Sequence, residues 1–86
     1  MKEYAVLAEQ FKVLGHPDRL KIIVNLETDG CNVGKIQKSM GLAQATVSQH
    51  MSLLKRVGIV SSVRNGNEVC YKVCDENIKK ILVNIN

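Results

Sequence analysis

Three cysteines and two histidines are the side chains of this 86-residue chain with redox or metal-binding chemistry. The cysteines, Cys31, Cys70 and Cys74, form no Cys-x-x-Cys pair, which is the usual pattern of a structural zinc site. Neither His16 nor His50 has a second ligand three or four residues away along the chain. We therefore predict neither a bound metal nor any other cofactor.

A second group of chemically useful side chains lies together at residues 44–49, QATVSQ. Glutamine can form two hydrogen bonds with an adenine edge, and serine or threonine can bond either base of a pair. Alanine and the threonine methyl can contact the methyl group of thymine. The stretch therefore offers five side chains suited to reading DNA bases: Gln44, Ala45, Thr46, Ser48 and Gln49.

Catalytic patterns are missing from the sequence. It contains no set of nucleophile, base and acid, no glycine loop that would cradle a phosphate, and no metal cluster. We therefore predict that the protein is not an enzyme.

The charge of the chain favours a polyanionic partner. Twelve Lys and Arg residues against eight acidic ones give a net charge of +4, and the pI is about 9.1. No apolar run is long enough to cross a bilayer, and the first residues, MKEY, lack the apolar stretch of a secretory signal. We expect a cytoplasmic protein with no membrane partner.

The spacing of apolar residues predicts the elements that position these side chains. Intervals of three and four residues predict helices over about 3–14, from Pro17 to about 28, over 33–40 and over 44–57, and a last helix over about 75–85. Between residues 59 and 73 the period changes to two around an Asn-Gly pair, which predicts a β-hairpin. We expect one mainly α domain over residues 1–86, in the order α-α-α-α-β-β-α.

Two predicted helices joined by the short turn Gly41-Leu42-Ala43 match a helix-turn-helix at about 33–57, and the hairpin at about 59–73 follows it as a wing. In this winged-helix arrangement the fourth helix enters the major groove, so Val47, Met51 and Leu54 must be its buried face. Basic and polar side chains elsewhere would then contact the DNA backbone. The predicted contacts are Lys38, Lys55, Arg64 and Asn65, with Lys35 as a further candidate.

The stretches FKVLGHPDRLKIIVNL and NVGKIQKSMGLAQATVSQHMSLLKRVGIVSSVRNGNEVCYKV resemble the ArsR/SmtB family of winged-helix repressors over nearly the whole chain. The segments LGHPDRLKI at 14–22 and SQHMSLL at 48–54 are the most specific parts. The resemblance implies a homodimer that pairs its first and last helices and leaves its operator when a metal, metalloid or thiol oxidant acts. It also places Gln44, Ala45, Ser48 and Gln49 near the bases.

A symmetric dimer has a geometric consequence for the DNA site. Two recognition helices about 34 Å apart require an inverted-repeat operator. The dimer surface is predicted from apolar residues at the two ends of the chain that exceed what a core of this size must bury: Tyr4, Leu7, Phe11, Ile78, Ile81, Leu82 and Ile85.

The residues define the inducer, the signal that would release the protein from DNA, less clearly than they define the DNA-binding helix. Metal-sensing relatives place Asp and His ligands on the last helix or a Cys-x-Cys pair at the third, and this sequence has neither. Cys31, Cys70 and Cys74 are candidate thiol-sensor residues. Some relatives sense persulfides through a cysteine just before the third helix, so Cys31 with Cys74 is one hypothesis for such a sensor. Cys70 and Cys74 would lie about 13 Å apart on a straight strand, too far for a disulfide bond. The alternative is that all three cysteines are small packing residues.

The predicted function is a homodimeric, sequence-specific repressor released from DNA by a thiol-reactive or soft-metal signal. Two alternatives stay open: a winged-helix module for protein association, and a DNA-binding regulator without an inducer. The polar surface at 44–49 favours DNA over a protein partner, because association surfaces expose large apolar groups. For His50 we expect partial packing or a phosphate contact, and for His16 a cap on the second helix.

Overall fold

The computed structural model describes residues 4–29 and 33–85. It contains α1 (Tyr4–Leu14), α2 (Pro17–Asp29), α3 (Val33–Met40), α4 (Gln44–Arg56), β1 (Val60–Asn65), β2 (Glu68–Val73) and α5 (Glu76–Ile85). This order confirms the predicted fold class. No helix within the described ranges is long and apolar enough to cross a membrane.

The core forms where the apolar stripes of the helices meet the base of the hairpin. Val47, Met51 and Leu54 of α4 are at most 1% exposed, which confirms the predicted buried face of that helix. They pack in one cluster with residues from the other elements, including Ile22, Ile23, Ile36, Ile59, Val73, Ile78 and Leu82. The opposite face of α4 is therefore free to meet a partner.

Local interactions define the helix ends, and the predicted cap at His16 is one of them. The backbone N–H of Asp18 donates to His16 Nδ1 at 3.1 Å, so the imidazole caps the start of α2. The N–H of Ile78 donates to Asp75 Oδ1 at 3.1 Å and caps α5. Gly41 has a φ of 66° after the last residue of α3, a left-handed conformation that favours glycine.

The strands of the hairpin extend closer to the turn than the apolar alternation, which stops at Val63 and resumes at Val69. Asn65 pairs with Glu68, so the two-residue turn consists of Gly66 and Asn67. Only glycines among the described residues have a positive φ, and Gly66 has one of 67°. A positive φ at the first turn position alone is typical of a type II′ turn, whose twist matches that of the strands.

A buried amide joins three elements at the base of the wing. Gln10, on α1, is only 4% exposed. Its Nε2 donates to the carbonyl of Val57, which follows α4, and to Oδ2 of Asp75, each at 3.0 Å. Asp75 thus caps α5 with one carboxylate oxygen and binds Gln10 with the other. The end of the fourth helix is therefore tied to both the first and the last.

Candidate nucleic-acid interface

The solvent face of α4 carries the side chains expected to read bases. Gln44, Ala45, Ser48 and Gln49 are exposed, and Thr46 is half-buried. Burial of the residues between them orients this face, because a helix with one packed stripe presents the remaining positions outward. The structure thus brings four predicted base contacts onto one open surface and leaves Thr46 at its edge.

The start of α4 is also accessible to an anion. Its N-cap residue, Ala43, has extended backbone angles and makes no side-chain capping bond. The first N–H groups of a helix lack intrahelical partners, and together with the helix dipole they attract phosphate. A DNA backbone crossing this end of α4 would find donors as well as the polar face.

The side chains predicted to contact phosphate differ in their exposure and in the hydrogen bonds they already make. Lys38 in the last turn of α3 and Arg64 at the end of β1 are exposed. Asn65 ends β1 at the turn, and its side chain lies outside what the structure describes. The Nζ of Lys55 donates to Ser62 Oγ at 2.8 Å, so this amine is held against the wing. Lys55 therefore braces α4 on β1, a role the sequence pattern did not predict.

Arg56 is a cation that sequence reasoning missed. It lines a groove on the open side of α4 together with Ser48, Gln49, Ser52 and Leu53. The sequence signal was its position seven residues after Gln49, which places both on one helix face. Arg56 is exposed, as are the predicted contacts Lys38 and Arg64.

Two histidines and an aspartate meet behind the recognition face. His50 is 8% exposed, and its ring centroid lies 4.9 Å from that of His16 at an angle of 55°. His50 Nε2 lies 4.0 Å from Asp18 Oδ2. One ligand atom from each of these three residues lies within 4.8 Å of the others. The sequence spacing does not reveal this cluster, because α2 and α4 come together only in the fold.

Arg19 holds the same cluster from the other side. Its Nε donates to His50 Nδ1 at 3.3 Å, and its Nη1 donates to the carbonyl of Val13 at 3.0 Å. The guanidinium therefore links the end of α1, the start of α2 and the middle of α4. His50 is a buried packing residue, which agrees with the predicted packing role, and in the structure its ring nitrogens face Arg19 and Asp18.

The surroundings of His50 keep its ring neutral. Burial lowers the pKa of His50 below the ordinary histidine value, and the charges of His16 and Arg19 lower it further. Asp18 acts in the opposite direction and only partly offsets them. A neutral ring can accept the hydrogen bond from Arg19, which a protonated ring cannot.

The two cysteines that the structure describes differ in their bonding. Cys70 on β2 is disulfide-bonded. Cys74, just after β2, is exposed and free, and its Sγ lies 3.5 Å from the carbonyl oxygen of Gly58. Cys31 lies outside the described residues. The pairing of Cys31 with Cys74 suggested by the sequence is therefore not found here, because Cys74 is a free thiol.

The apolar surface at the ends of the chain is smaller on α5 than predicted. Ile78 and Leu82 are at most 3% exposed because they pack into the core of their own chain. Ile81 is half-buried, and the side chain of Ile85 lies outside the description. Large apolar groups are instead exposed on α1 and at one position of α5: Tyr4, Val6, Phe11 and Val83. Leu7 of α1 is half-buried.

Comparison with known proteins identifies the family. The model of the bacterial regulatory protein family arsR matches residues 16–62, which include α2, α3, α4 and the start of β1. The chain belongs to the ArsR family. A helix-turn-helix transcriptional regulator of Methanocaldococcus jannaschii is 36% identical over 83 residues, which are 95% of this chain and 93% of the relative.

Solved structures of family regulators have the same fold. The transcriptional repressor PagR of Bacillus anthracis superposes with a TM-score of 0.84 at 33% identity, covering 98% of this chain and all of PagR. The homodimeric winged helix-turn-helix DNA-binding domain of Mb0332 from Mycobacterium bovis has a TM-score of 0.82 at 25% identity, over 95% of this chain and 76% of that domain. This ArsR-family protein is a DNA-binding transcriptional regulator with a winged-helix fold.

Proposed function

We propose that this ArsR-family regulator is a homodimeric repressor that reads an inverted-repeat operator with the open face of α4. The observation that carries the proposal is the two-sided nature of that helix. One face is fully buried in the core, and the other presents polar side chains and alanine, with the half-buried Leu53 as the only large apolar group among the described residues of its groove. Such side chains can approach base edges in the major groove.

The composition of the exposed face of α4 distinguishes a DNA-binding role from a protein-binding role. A winged helix that served only for protein association would expose aromatic or large aliphatic residues on α4. The exposed face carries amides, hydroxyls and alanine, Arg56 lines its groove, and Lys38 on α3 and Arg64 on β1 are also exposed. This composition suits phosphate and base contacts and favours the DNA role.

Exposed apolar groups support a dimer. Tyr4 is 78% exposed, Phe11 48% and Val83 77%, and solvent contact with these groups is unfavourable. They lie on α1 and α5, the first and last helices. Mb0332, whose fold this chain shares, is a homodimer. We propose that α1 and α5 of two copies pair and set the two α4 helices about 34 Å apart, one turn of DNA.

Binding to selected and random DNA tests the operator proposal. Gln49→Ala should lose about 1–3 kcal/mol of discrimination at one base position while retaining affinity for random DNA, because it removes a base contact. Arg64→Ala should weaken binding to every sequence and flatten the salt dependence, because it removes a phosphate contact. Lys21→Ala, an exposed charge change on α2, serves as the matched control and should change neither. Wild-type binding by both test variants would refute the docking arrangement.

We propose further that a thiol-reactive signal releases the operator, acting through Cys70. The disulfide bond of Cys70 supports a redox role for the wing strand. Of the other cysteines in the sequence, Cys74 is a free thiol, and we propose that Cys31 is the residue that acts together with Cys70. β2 packs against both α2 and α3, the helices on either side of residue 31 in the sequence. A bond between these positions would link the wing to the start of the helix-turn-helix.

Mobility shifts on the operator test this inducer. Diamide, polysulfide, arsenite and cadmium should each be added to the wild type and to Cys31→Ser, Cys70→Ser and Cys74→Ser. We expect a thiol reagent to release the wild type and the Cys74 variant, and to leave the other two variants bound. Release that is the same in all four proteins, or absent with every reagent, would contradict a Cys31–Cys70 sensor and favour a regulator without a thiol inducer.

A further inference from the structure

We propose that His16, Asp18 and His50 form a binding site for a divalent transition metal such as Zn²⁺ or Co²⁺. The three residues come from two separate places in the chain, the start of α2 with the residue just before it, and the buried side of α4. Two imidazoles and a carboxylate are a ligand set that catalytic and regulatory zinc sites use, with a fourth position left for water. The binding step is independent of the proposed operator.

The distances are close to those of a metal site. Zinc bonds of about 2.0–2.1 Å place tetrahedral ligand atoms about 3.3 Å from one another. His50 Nε2 and Asp18 Oδ2 lie 4.0 Å apart, and the ligand atoms of the whole cluster lie within 4.8 Å. Small side-chain rotations can close this difference. His16, just before α2, and Asp18, in its first turn, are half-buried, so the cluster is open to solvent on one side.

The existing hydrogen bonds determine what metal binding must change. Nδ1 of His16 accepts from the backbone N–H of Asp18, and Nδ1 of His50 accepts from Arg19 Nε. Because Nδ1 of His50 accepts a hydrogen bond, a neutral His50 ring carries its proton on Nε2, the atom that faces Asp18. For a metal to bind at Nε2 of His50, that proton must move to Nδ1, where it would face the Arg19 donor. Metal binding therefore breaks the Arg19 contact to His50.

This competition connects the site to the recognition helix. Arg19 bridges the carbonyl of Val13, at the end of α1, and His50 in the middle of α4. Once His50 turns its donor side toward Arg19, the bridge to α4 is lost. A bound metal would then loosen the packing that sets the angle of α4, which gives the metal a route to weaken DNA binding. This second step rests on the proposed DNA-reading role of α4.

Cobalt binding tests the site directly. The full chain with all three cysteines changed to serine should be titrated with Co²⁺, and its ligand-field absorption should show tetrahedral or five-coordinate nitrogen and oxygen ligands. Asp18→Asn and His16→Gln should each lower the Co²⁺ affinity more than about 100-fold, since even groups that only support ligands change affinity about 10- to 100-fold. Glu27→Gln, an exposed acid on the same helix, should leave the affinity unchanged.

A variant that should raise the Co²⁺ affinity distinguishes the loss of a metal ligand from general damage to the fold. Arg19→Met removes the competing donor and should raise the Co²⁺ affinity, although it removes stabilising hydrogen bonds. Far-ultraviolet circular dichroism of each variant confirms that the helices are formed. Equal Co²⁺ affinity in the cysteine-free chain and in its Asp18→Asn and His16→Gln variants would overturn the site. Lower affinity in Arg19→Met would overturn the competition with His50.

A DNA measurement tests the second step separately. Zn²⁺ should weaken operator binding by the cysteine-free chain and have no such effect on Asp18→Asn. Metal binding with unchanged DNA affinity would retain the site and reject its link to α4. Absence of operator binding in metal-free protein would instead reject the proposed function, without bearing on Co²⁺ ligation.

Discussion

The contact of Gln10 with Val57 and Asp75 predicts a large effect from one conservative change. Gln10→Leu keeps most of the side-chain volume and removes the amide. The bond to the Val57 carbonyl is between neutral groups and contributes about 1 kcal/mol, whereas the bond to the Asp75 carboxylate contributes about 1.5–3 kcal/mol. Added apolar burial offsets part of this loss. We expect the free energy of unfolding to fall by about 2 kcal/mol.

Thermal and urea denaturation followed by circular dichroism measure this loss. For a chain of this size about 2 kcal/mol corresponds to a drop in Tm of roughly 8–16 °C. Protein concentration must be held constant, because dimerisation raises apparent stability. Gln49→Leu makes the same substitution on the exposed face of α4 and should change stability by no more than about 0.5 kcal/mol. Equal stability of Gln10→Leu and the wild type would refute the assignment of Gln10 as the link between α1, α4 and α5.

Three further predictions concern the core, the wing and pH. Leu54→Ala should destabilise the chain by about 2–5 kcal/mol in urea unfolding, because Leu54 is fully buried and leaves a cavity. Gly66→Ala should cost about 1 kcal/mol or more by the same measurement, since the turn requires a φ of 67° there. Acidification should destabilise the wild type as the pH falls below about 6.5, because the unfolded chain binds a proton on His50 at its ordinary pKa while the folded pKa is lowered. The contribution of His50 to the free energy of unfolding is therefore fully present above that pH and is lost as the pH falls. His50→Gln should lack this pH-dependent loss, and identical pH profiles of stability for the two proteins would contradict the lowered pKa of His50.

Much of the fold is predictable from the sequence because its signals are local. The apolar spacing of Val47, Met51 and Leu54 defines the buried face of α4, and all three are at most 1% exposed. His16 and Asp75 cap the helices that follow them, as their positions predict. Such features depend on neighbours a few residues away.

Contacts between distant residues are what the sequence pattern did not supply. Gln10 and Asp75 are 65 residues apart, and Arg19 and His50 are 31 apart, yet each pair forms a hydrogen bond. The same limit explains the dimer surface. Ile78 was counted among apolar residues available to a partner chain, but α5 buries it against its own chain's core. Periodicity shows that a residue has a buried face without showing which surface covers it.

Chemical protection of the operator tests whether α4 inserts into the major groove. Dimethyl sulfate methylates N7 of guanine in the major groove, an atom that a recognition helix covers. Insertion of both α4 helices of the dimer should give two protected guanine clusters, about one helical turn or 10–10.5 base pairs apart and related by the symmetry of the inverted repeat. Gln49→Ala should restore methylation at matching positions in both clusters. A complex with unprotected major-groove guanines throughout its operator would contradict the insertion of α4 into the groove.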